Sequence, residues 1–173
     1  MYKRLVYALV VWCSVSQGLI YAQGSFIARV GPSGEFLELE HQSTGQMVKD
    51  YLPLYRVGGV RYFNAGVGLE ERQAEYPPFS LKLVFTAGGK PYLAGVDVTI
   101  QAAEGAAAIT IPREQVQGPW LFVDLSPGTY DISATYGEHK QALKGIKVVG
   151  GKQKTVHLRW AEDTGPTVKM PNE

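Results

Sequence analysis

Cysteine is nearly absent from this chain of 173 residues. The only one, Cys13, lies in an apolar N-terminal segment, and the bulky Trp12 stands before it where a lipid-modified cysteine has a small residue. If this segment is removed, the rest of the chain has no thiol, which excludes disulfides and thiol catalysis. The fold then depends on its hydrophobic core, for which about 150 residues are enough.

Histidine is also scarce, and its three positions are His41, His139 and His157. They fall in a weakly patterned segment, in a turn and at an outward strand position, and none has a second ligand type at metal-site spacing. We therefore expect each imidazole to be solvated. The chain is predicted to bind no metal and no cofactor.

Neither sign of charge is in excess. Two basic residues, Lys3 and Arg4, lie in the N-terminal segment; removing them from the 17 Lys and Arg leaves 15, against 16 Asp and Glu, a net charge of −1. Nucleic acids and anionic lipid surfaces attract basic proteins. This balance therefore argues against both as partners.

The N-terminus has the three parts of a secretory signal peptide. A basic start is followed by the uncharged apolar run Leu5–Val15 and by a small residue, Ala22, at the expected cut. Residues 1–22 are therefore predicted to be a signal peptide, with a cut after Gly18 as the second choice and an uncleaved anchor as the alternative. The run is too short to span a bilayer comfortably. No stable membrane span is expected in the mature chain, and the protein is predicted to be periplasmic or secreted.

Long helical periods are missing after Pro78, and alternating apolar and polar residues take their place. Turn residues separate these segments at a spacing of roughly 8–12 residues, which is typical of an antiparallel β-sandwich. The alternation turns Leu158 inward and its neighbours His157 and Arg159 outward. Seven strands are predicted, at Leu81–Phe85, Val96–Ile100, Ala108–Ile111, Leu121–Val123, Tyr130–Tyr136, Ile146–Val148 and Val156–Trp160.

The residues before Pro78 are less regular. A short strand is predicted at Phe26–Val30, a hairpin across Gly58-Gly59 and a helical turn at Leu69–Glu75, and Pro77-Pro78 is typical of a linker. We expect the segment after this linker to fold alone as an all-β unit. The predicted division is a signal peptide at 1–22, an irregular extension at 23–79, a β-sandwich at 80–160 and a disordered tail at 161–173.

A proline-glycine turn between two strands carries a resemblance to a known family. The stretch Leu121–Tyr130 ends one strand in Leu125, turns at Ser126-Pro127-Gly128 and begins a strand that bears Tyr130. It resembles carboxypeptidase regulatory-like domains, which are transthyretin- or prealbumin-like sandwiches, in a small secreted bacterial form. The resemblance implies an all-β, seven-stranded antiparallel transthyretin-like β-sandwich with an irregular N-terminal extension, and an accessory rather than a catalytic role.

No set of catalytic residues stands out. Ser33 and Ser126 lie in proline-glycine turns, which explain them. The pair Glu70-Glu71 together with Asp124 could be the two carboxylates of a glycosidase, although surface carboxylates are common. The hydroxyisourate hydrolases of similar fold end in Tyr-Arg-Gly-Ser, whereas the last strand here ends in Leu158–Ala161. We therefore predict that the chain is not an enzyme.

Aromatic residues are the remaining candidates for binding. Tyr130, Tyr136 and Trp160 share the inward register and are expected in the core, whereas Trp120 and Tyr92 are the candidate binding rings. The candidate surfaces are the loops Gly88–Tyr92 and Gly118–Trp120, or an exposed edge strand.

These observations predict a secreted or periplasmic, non-enzymatic binding or interaction module whose partner is an unknown protein or glycan. Two alternatives of other kinds are a carbohydrate-binding module with exposed coplanar rings and a structural subunit that lends a sheet edge to an envelope assembly. An unrecognised hydrolase is the fourth hypothesis.

Mass spectrometry of the protein from its producing cell tests the signal peptide. We expect a new N-terminus near Gln23, because the apolar run is followed there by a cleavable small residue. A full-length mass, or a diacylglycerol on Cys13, would contradict a soluble secreted protein.

Overall fold

Strands dominate the computed structural model, which describes residues 26–43, 45–88, 93–105 and 107–161. The predicted signal peptide, the candidate Tyr92 and residues 162–173 of the predicted tail lie outside the described residues. The predicted all-β class is confirmed. The strands are β1 Phe26–Val30, β2 Phe36–Ser43, β3 Gln46–Pro53, β4 Tyr55–Val57, β5 Val60–Ala65, β6 Ala74–Glu75, β7 Leu81–Ala87, β8 Asp97–Ala102, β9 Ile109–Ile111, β10 Trp120–Val123, β11 Gly128–Tyr136, β12 His139–Val148 and β13 Lys154–Trp160.

Helical structure is confined to short pieces in this part of the chain. The predicted helical turn forms as α1, Leu69–Gln73, and a 3₁₀ turn occupies Arg113–Gln115. Among the described residues, no helix has the length and apolar character needed to cross a membrane.

The strands form three sheets. Sheet A has the order β3-β2-β1-β6, sheet B the order β13-β7-β10-β5-β4, and sheet C the order β12-β11-β8-β9. All seven segments predicted between residues 80 and 160 contain a strand, but these seven are part of a larger structure of 13 described strands. The predicted antiparallel arrangement is also incomplete, because β13 pairs with β7 in parallel and β1 with β6 in parallel.

Sheet B is the central layer, and its strands β5 and β10 are covered on both faces. On one face, Leu121 and Val123 pack in a cluster with Ile132 of sheet C. On the other face, Phe63 and Phe122 pack in a second cluster with residues of sheet A, and their rings stack at a centroid distance of 4.6 Å. The sequence pattern assigns Phe122 to an outward face, yet only 2% of it is exposed, since sheet A covers that face.

The segment predicted to be an irregular extension supplies two strands to sheet B. The predicted Gly58-Gly59 hairpin joins β4 to β5, and both glycines have positive φ, 55° and 81°, as a two-residue turn of this kind requires. Strand β5 then pairs with β10. Tyr62 and Phe63 are consecutive and both buried, on opposite faces of the sheet, so β5 lacks the alternation that marks a half-exposed strand. A chain that begins at residue 80 would lack this neighbour of β10, and independent folding of residues 80–160 stays a prediction.

Other local predictions agree with the structure. The predicted strand Phe26–Val30 is β1, and in β13 Leu158 is fully buried while His157 and Arg159 are exposed. The Tyr130 hydroxyl donates a hydrogen bond of 2.9 Å to the Ser126 carbonyl, which fixes the turn before β11.

Replacing Phe122 tests the second buried face. Phe122→Ala should reduce the free energy of unfolding by about 3–5 kcal/mol, because it removes a fully packed ring and leaves a cavity. The matched control is Thr155→Ala. Thr155 and Phe122 both pair with Lys82 of β7 and share a face of sheet B, but Thr155 is exposed. This change should reduce the free energy of unfolding by no more than about 0.5 kcal/mol. Equal small losses in urea unfolding would contradict the three-layer packing.

Candidate functional site

A cleft of about 200 Å³ opens where sheets A and B meet. We call it the junction cleft. One wall comes from the end of β3 and the start of β4, and the other from β5, the loop into α1 and the loop before β10. It is lined by Tyr51, Leu52, Pro53, Tyr55, Asn64, Ala65, Val67, Glu71, Gln115, Gln117 and Gly118.

The change of sheet at Leu54 creates the first wall. Strand β3 ends at Pro53 in sheet A, and β4 begins at Tyr55 in sheet B. Leu54 is buried in the second cluster, and its backbone N–H donates to the Glu35 carbonyl at 2.8 Å. Because the chain changes sheet at Leu54, Tyr51 of sheet A and Tyr55 of sheet B both line the junction cleft.

A stack of two tyrosines joins β4 of the first wall to β5 of the second. Tyr55 stacks on Tyr62 at a centroid distance of 5.4 Å and an interplanar angle of 24°. The Tyr62 hydroxyl donates to Oε1 of Gln115. Burial raises the pKa of Tyr62, so this hydroxyl keeps its proton and holds the Gln115 amide in place.

Asn64 has an acceptor without a partner. Its Nδ2 donates to the Gln115 backbone carbonyl, and this contact defines which end of the amide is the oxygen. Oδ1 is buried and has no hydrogen bond among the described residues. An unpaired buried acceptor costs about 1–3 kcal/mol of stability.

Glu71 is the charged residue of the lining. Its Oε2 accepts hydrogen bonds from the backbone N–H groups of Gly66, at 2.7 Å, and Val67, at 3.1 Å. The Tyr76 hydroxyl donates to the Glu71 carbonyl at 2.8 Å, and burial raises the pKa of Tyr76, with the Glu71 charge as the smaller cause. The lining contains no Lys, Arg or His.

The predicted loop Gly118–Trp120 contributes to the cleft through Gly118 rather than through Trp120. Trp120 is half-buried and packs against the second cluster. The Nζ atom of Lys82 lies 3.4 Å from the centroid of its ring, and a Cβ on Gly66 would be 2.8 Å from its Cδ2. This ring is therefore engaged in packing, and burial lowers the pKa of Lys82 above it. Of the loop Gly88–Tyr92, only Gly88 is described.

The histidines do not form a site in the described part of the chain. His139 and His157 are exposed as expected, but His41 is 8% exposed, which corrects the expectation that it is solvated. His41 shares the inward register of β2 with Leu39, and its Nε2 lies 2.9 Å from Oδ2 of Asp50. No group of three or more potential metal ligands occurs among these residues.

The carboxylates weighed as a glycosidase pair have separate structural partners. Asp124 accepts from the Arg61 guanidinium, at 2.6 Å from Nη2 and 3.2 Å from Nε, and Glu71 accepts from backbone N–H groups of its own loop. They line different depressions, since Asp124 lies beside Ser80 and Pro127.

Comparison of the chain with protein-family models, with curated proteins and with solved structures found no match. The junction cleft was not predicted from the sequence, although one signal was present. The segment Leu52–Val57 carries a proline and an aromatic residue just before a glycine hairpin, which is where a chain can change sheets.

Gly118→Ala tests how the cleft wall is built. A Cβ there would lie 2.7 Å from the Ala65 carbonyl oxygen, so we expect a loss of about 1–3 kcal/mol of unfolding free energy from overpacking. The control is Gly68→Ala, whose new Cβ meets the ends of two flexible side chains, Glu70 at 3.2 Å and Glu71 at 4.0 Å, and should cost less than about 1 kcal/mol. Thermal or urea unfolding gives both values. Equal losses would contradict the close contact between Gly118 and the Ala65 carbonyl.

Proposed function

We propose that this chain is a secreted or periplasmic, non-enzymatic binding module and that the junction cleft is its ligand site. The observation that carries the proposal is the convergence of three side-chain amides, those of Asn64, Gln115 and Gln117, around one concave space that Tyr51 and Tyr55 also line. Aromatic surface combined with a few placed polar groups is the usual composition of a ligand site. The resemblance of Leu121–Tyr130 to carboxypeptidase regulatory-like, transthyretin-like sandwiches supports an accessory role of this kind.

The chemistry of the lining favours binding over catalysis. Acyl, glycosyl and phosphoryl transfer use a nucleophile or water with a positioned base. Among the described cleft residues, the one carboxylate holds two backbone N–H groups through Oε2, and the amides of Asn64, Gln115 and Gln117 neither gain nor lose protons at neutral pH. Such groups orient a ligand without transforming it.

The size of the cleft sets the size of the ligand. Pockets for drug-sized molecules have volumes of about 300–1,000 Å³. At about 200 Å³, the junction cleft suits a single small ring or the end of a longer chain.

A glycan array followed by NMR titration of the mature protein tests this site. We expect bound ligands to shift the side-chain amide signals of Asn64 and Gln115. Gln117→Ala should weaken binding by about 0.5–1.5 kcal/mol, the usual net contribution of one hydrogen bond. Gln117 is exposed, so its removal should leave the fold intact.

The control is Met47→Ala, which changes an exposed residue outside the junction cleft and should leave affinity unchanged. Equal effects of the two changes, or turnover of a peptide, ester or glycoside by the mature protein, would contradict the proposal.

A second candidate function is that of a structural subunit, and strand β3 favours it. This eight-residue edge pairs with β2 without a bulge and exposes Met47, Val48 and Tyr51. The longest edge strand, β12, pairs through a register shift and carries three lysines, which discourage further pairing. Val48→Lys should abolish capture of an envelope protein by this edge and leave NMR-detected cleft binding unchanged.

A further inference from the structure

We infer that two copies of this chain form a homodimer by antiparallel pairing of their β3 edges. The four strands of sheet A in each copy then form one continuous sheet of eight. The inference goes beyond the proposed function and does not depend on a ligand in the junction cleft. It follows from the direction of the free backbone groups of β3, from the partners of its charged residues and from the symmetry of its exposed side chains.

The ladder between β2 and β3 decides which backbone groups of β3 are free. Along an antiparallel pair of strands, residues that exchange hydrogen bonds alternate with residues that do not. Leu54, just after β3, belongs to the bonded set, because its N–H donates to the Glu35 carbonyl at 2.8 Å, and the even-numbered residues of β3 continue this set. The odd-numbered residues Met47, Lys49 and Tyr51 therefore direct their N–H and C=O groups to the open side of the sheet.

The remaining edges in the described part of the chain are short or protected. Strands β4, β6 and β9 have only two or three residues each. Strand β12 carries three lysines and lies beside β13, where the Trp160 indole donates to the His139 carbonyl at 3.0 Å. Strand β3, by contrast, is an edge of eight residues whose register with β2 has no shift. Such an edge accepts another strand unless a bulge, a proline or a free charge prevents it.

The two charged residues of β3 do not protect the edge, because both are held by β2. The Nζ atom of Lys49 lies 2.9 Å from Oε1 of Glu40 and 3.4 Å from Oε2 of Glu38. This hydrogen bond and the Lys49 charge lower the pKa of Glu40. On the other face, Oδ2 of Asp50 lies 2.9 Å from Nε2 of His41. An approaching strand therefore meets charged groups that already have partners within their own copy.

The exposed residues of β3 favour a second copy as the partner. Met47 and Tyr51 lie on one face, two residues to either side of Lys49, and are 69% and 56% exposed. A two-fold axis at Lys49 places Met47 of each copy opposite Tyr51 of the other, and a thioether sulfur packs favourably against an aromatic ring. All three outward-directed residues then pair with outward-directed residues. Pro53, which has no N–H to donate, falls beyond the paired segment.

This register also balances the charge at the axis. The two Lys49 side chains face each other there, but each copy brings Glu38 and Glu40 to the same face, and Arg29 lies opposite Glu38 in the ladder of β1 and β2. Two basic and two acidic groups in each copy give a net charge of zero. Moving the axis to Asp50 would instead place two carboxylates opposite each other, which is unfavourable.

Cysteine cross-linking tests the register, because the mature protein without Cys13 has no thiol of its own. The double variant Met47→Cys/Tyr51→Cys places sulfurs of the two copies opposite each other, so mild oxidation should produce a covalent dimer. The matched controls are the two single variants. In each of them the new sulfurs of the two copies are four residues apart along the strands, about 13 Å, which is beyond the reach of a disulfide.

Analytical ultracentrifugation of the mature protein tests the dimer itself. We expect a concentration-dependent mass of two chains. Met47→Pro removes one outward N–H from each copy and should raise the dissociation constant of the dimer by about tenfold or more. The fold should persist, because this N–H is not used by β2 and an edge strand tolerates proline at such a position. The matched control is Met47→Ala, which keeps the N–H and should raise the dissociation constant less.

Three results would overturn the homodimer and leave the junction cleft and its ligand test standing. They are a monomeric mass at every concentration, a dimer that Met47→Pro does not weaken, and equal cross-linking of the double and single variants. A monomer that captures an envelope protein through β3 would also overturn it, because the edge would then belong to a foreign strand. A dimer that cross-links only in the double variant and weakens in Met47→Pro supports the inference.

Discussion

The stacked pair Phe63–Phe122 is the contact on which the three-layer arrangement depends. These residues are directly opposite each other on β5 and β10, in the middle of sheet B, and their rings face sheet A. Tyr76 and Phe79 pack on the same rings, at centroid distances of 5.0 Å from Phe122 and 4.9 Å from Phe63. An uncovered phenylalanine pair would expose a large apolar surface, and sheet A, with its strands β1, β2, β3 and β6, covers it. Sheets B and C are therefore two layers of a three-layer packing in this structure.

Local sequence patterns predicted the strands of the second half because each has one face in the B–C core. Val156, Leu158 and Trp160 alternate with exposed neighbours, and the buried residues of β8 and β11 alternate mostly with half-buried ones. The patterns failed for Phe122, whose outward face is covered by sheet A, and for His41, a single imidazole that continues an apolar row after Leu39. Coverage by a second layer depends on residues that are distant in the sequence. A strand covered on both faces therefore shows no alternation of apolar and polar residues.

The junction cleft was beyond sequence reasoning for a related reason. Tyr55, Asn64 and Gln115 are brought together by the β4–β5 hairpin and by the 3₁₀ turn before β10, across 60 residues of chain. Their residue types are unremarkable alone, since tyrosines and amides occur on most protein surfaces. Trp120 was predicted to be a binding ring because it follows Gly118-Pro119. Its ring is instead covered by Lys82, and Gly118 lines the cleft.

The parallel pairing of β13 with β7 has a consequence for the time course of folding. Lys154 lies opposite Leu81, so the central sheet closes between segments about 70 residues apart. Contacts of such sequence separation form late in folding, because closing the long loop between the strands costs conformational entropy. During synthesis, β7 keeps an open edge and an unfinished core until β13 has emerged. An exposed strand edge of this kind is prone to aggregation, so the interval between the synthesis of the two strands is the vulnerable one for this chain.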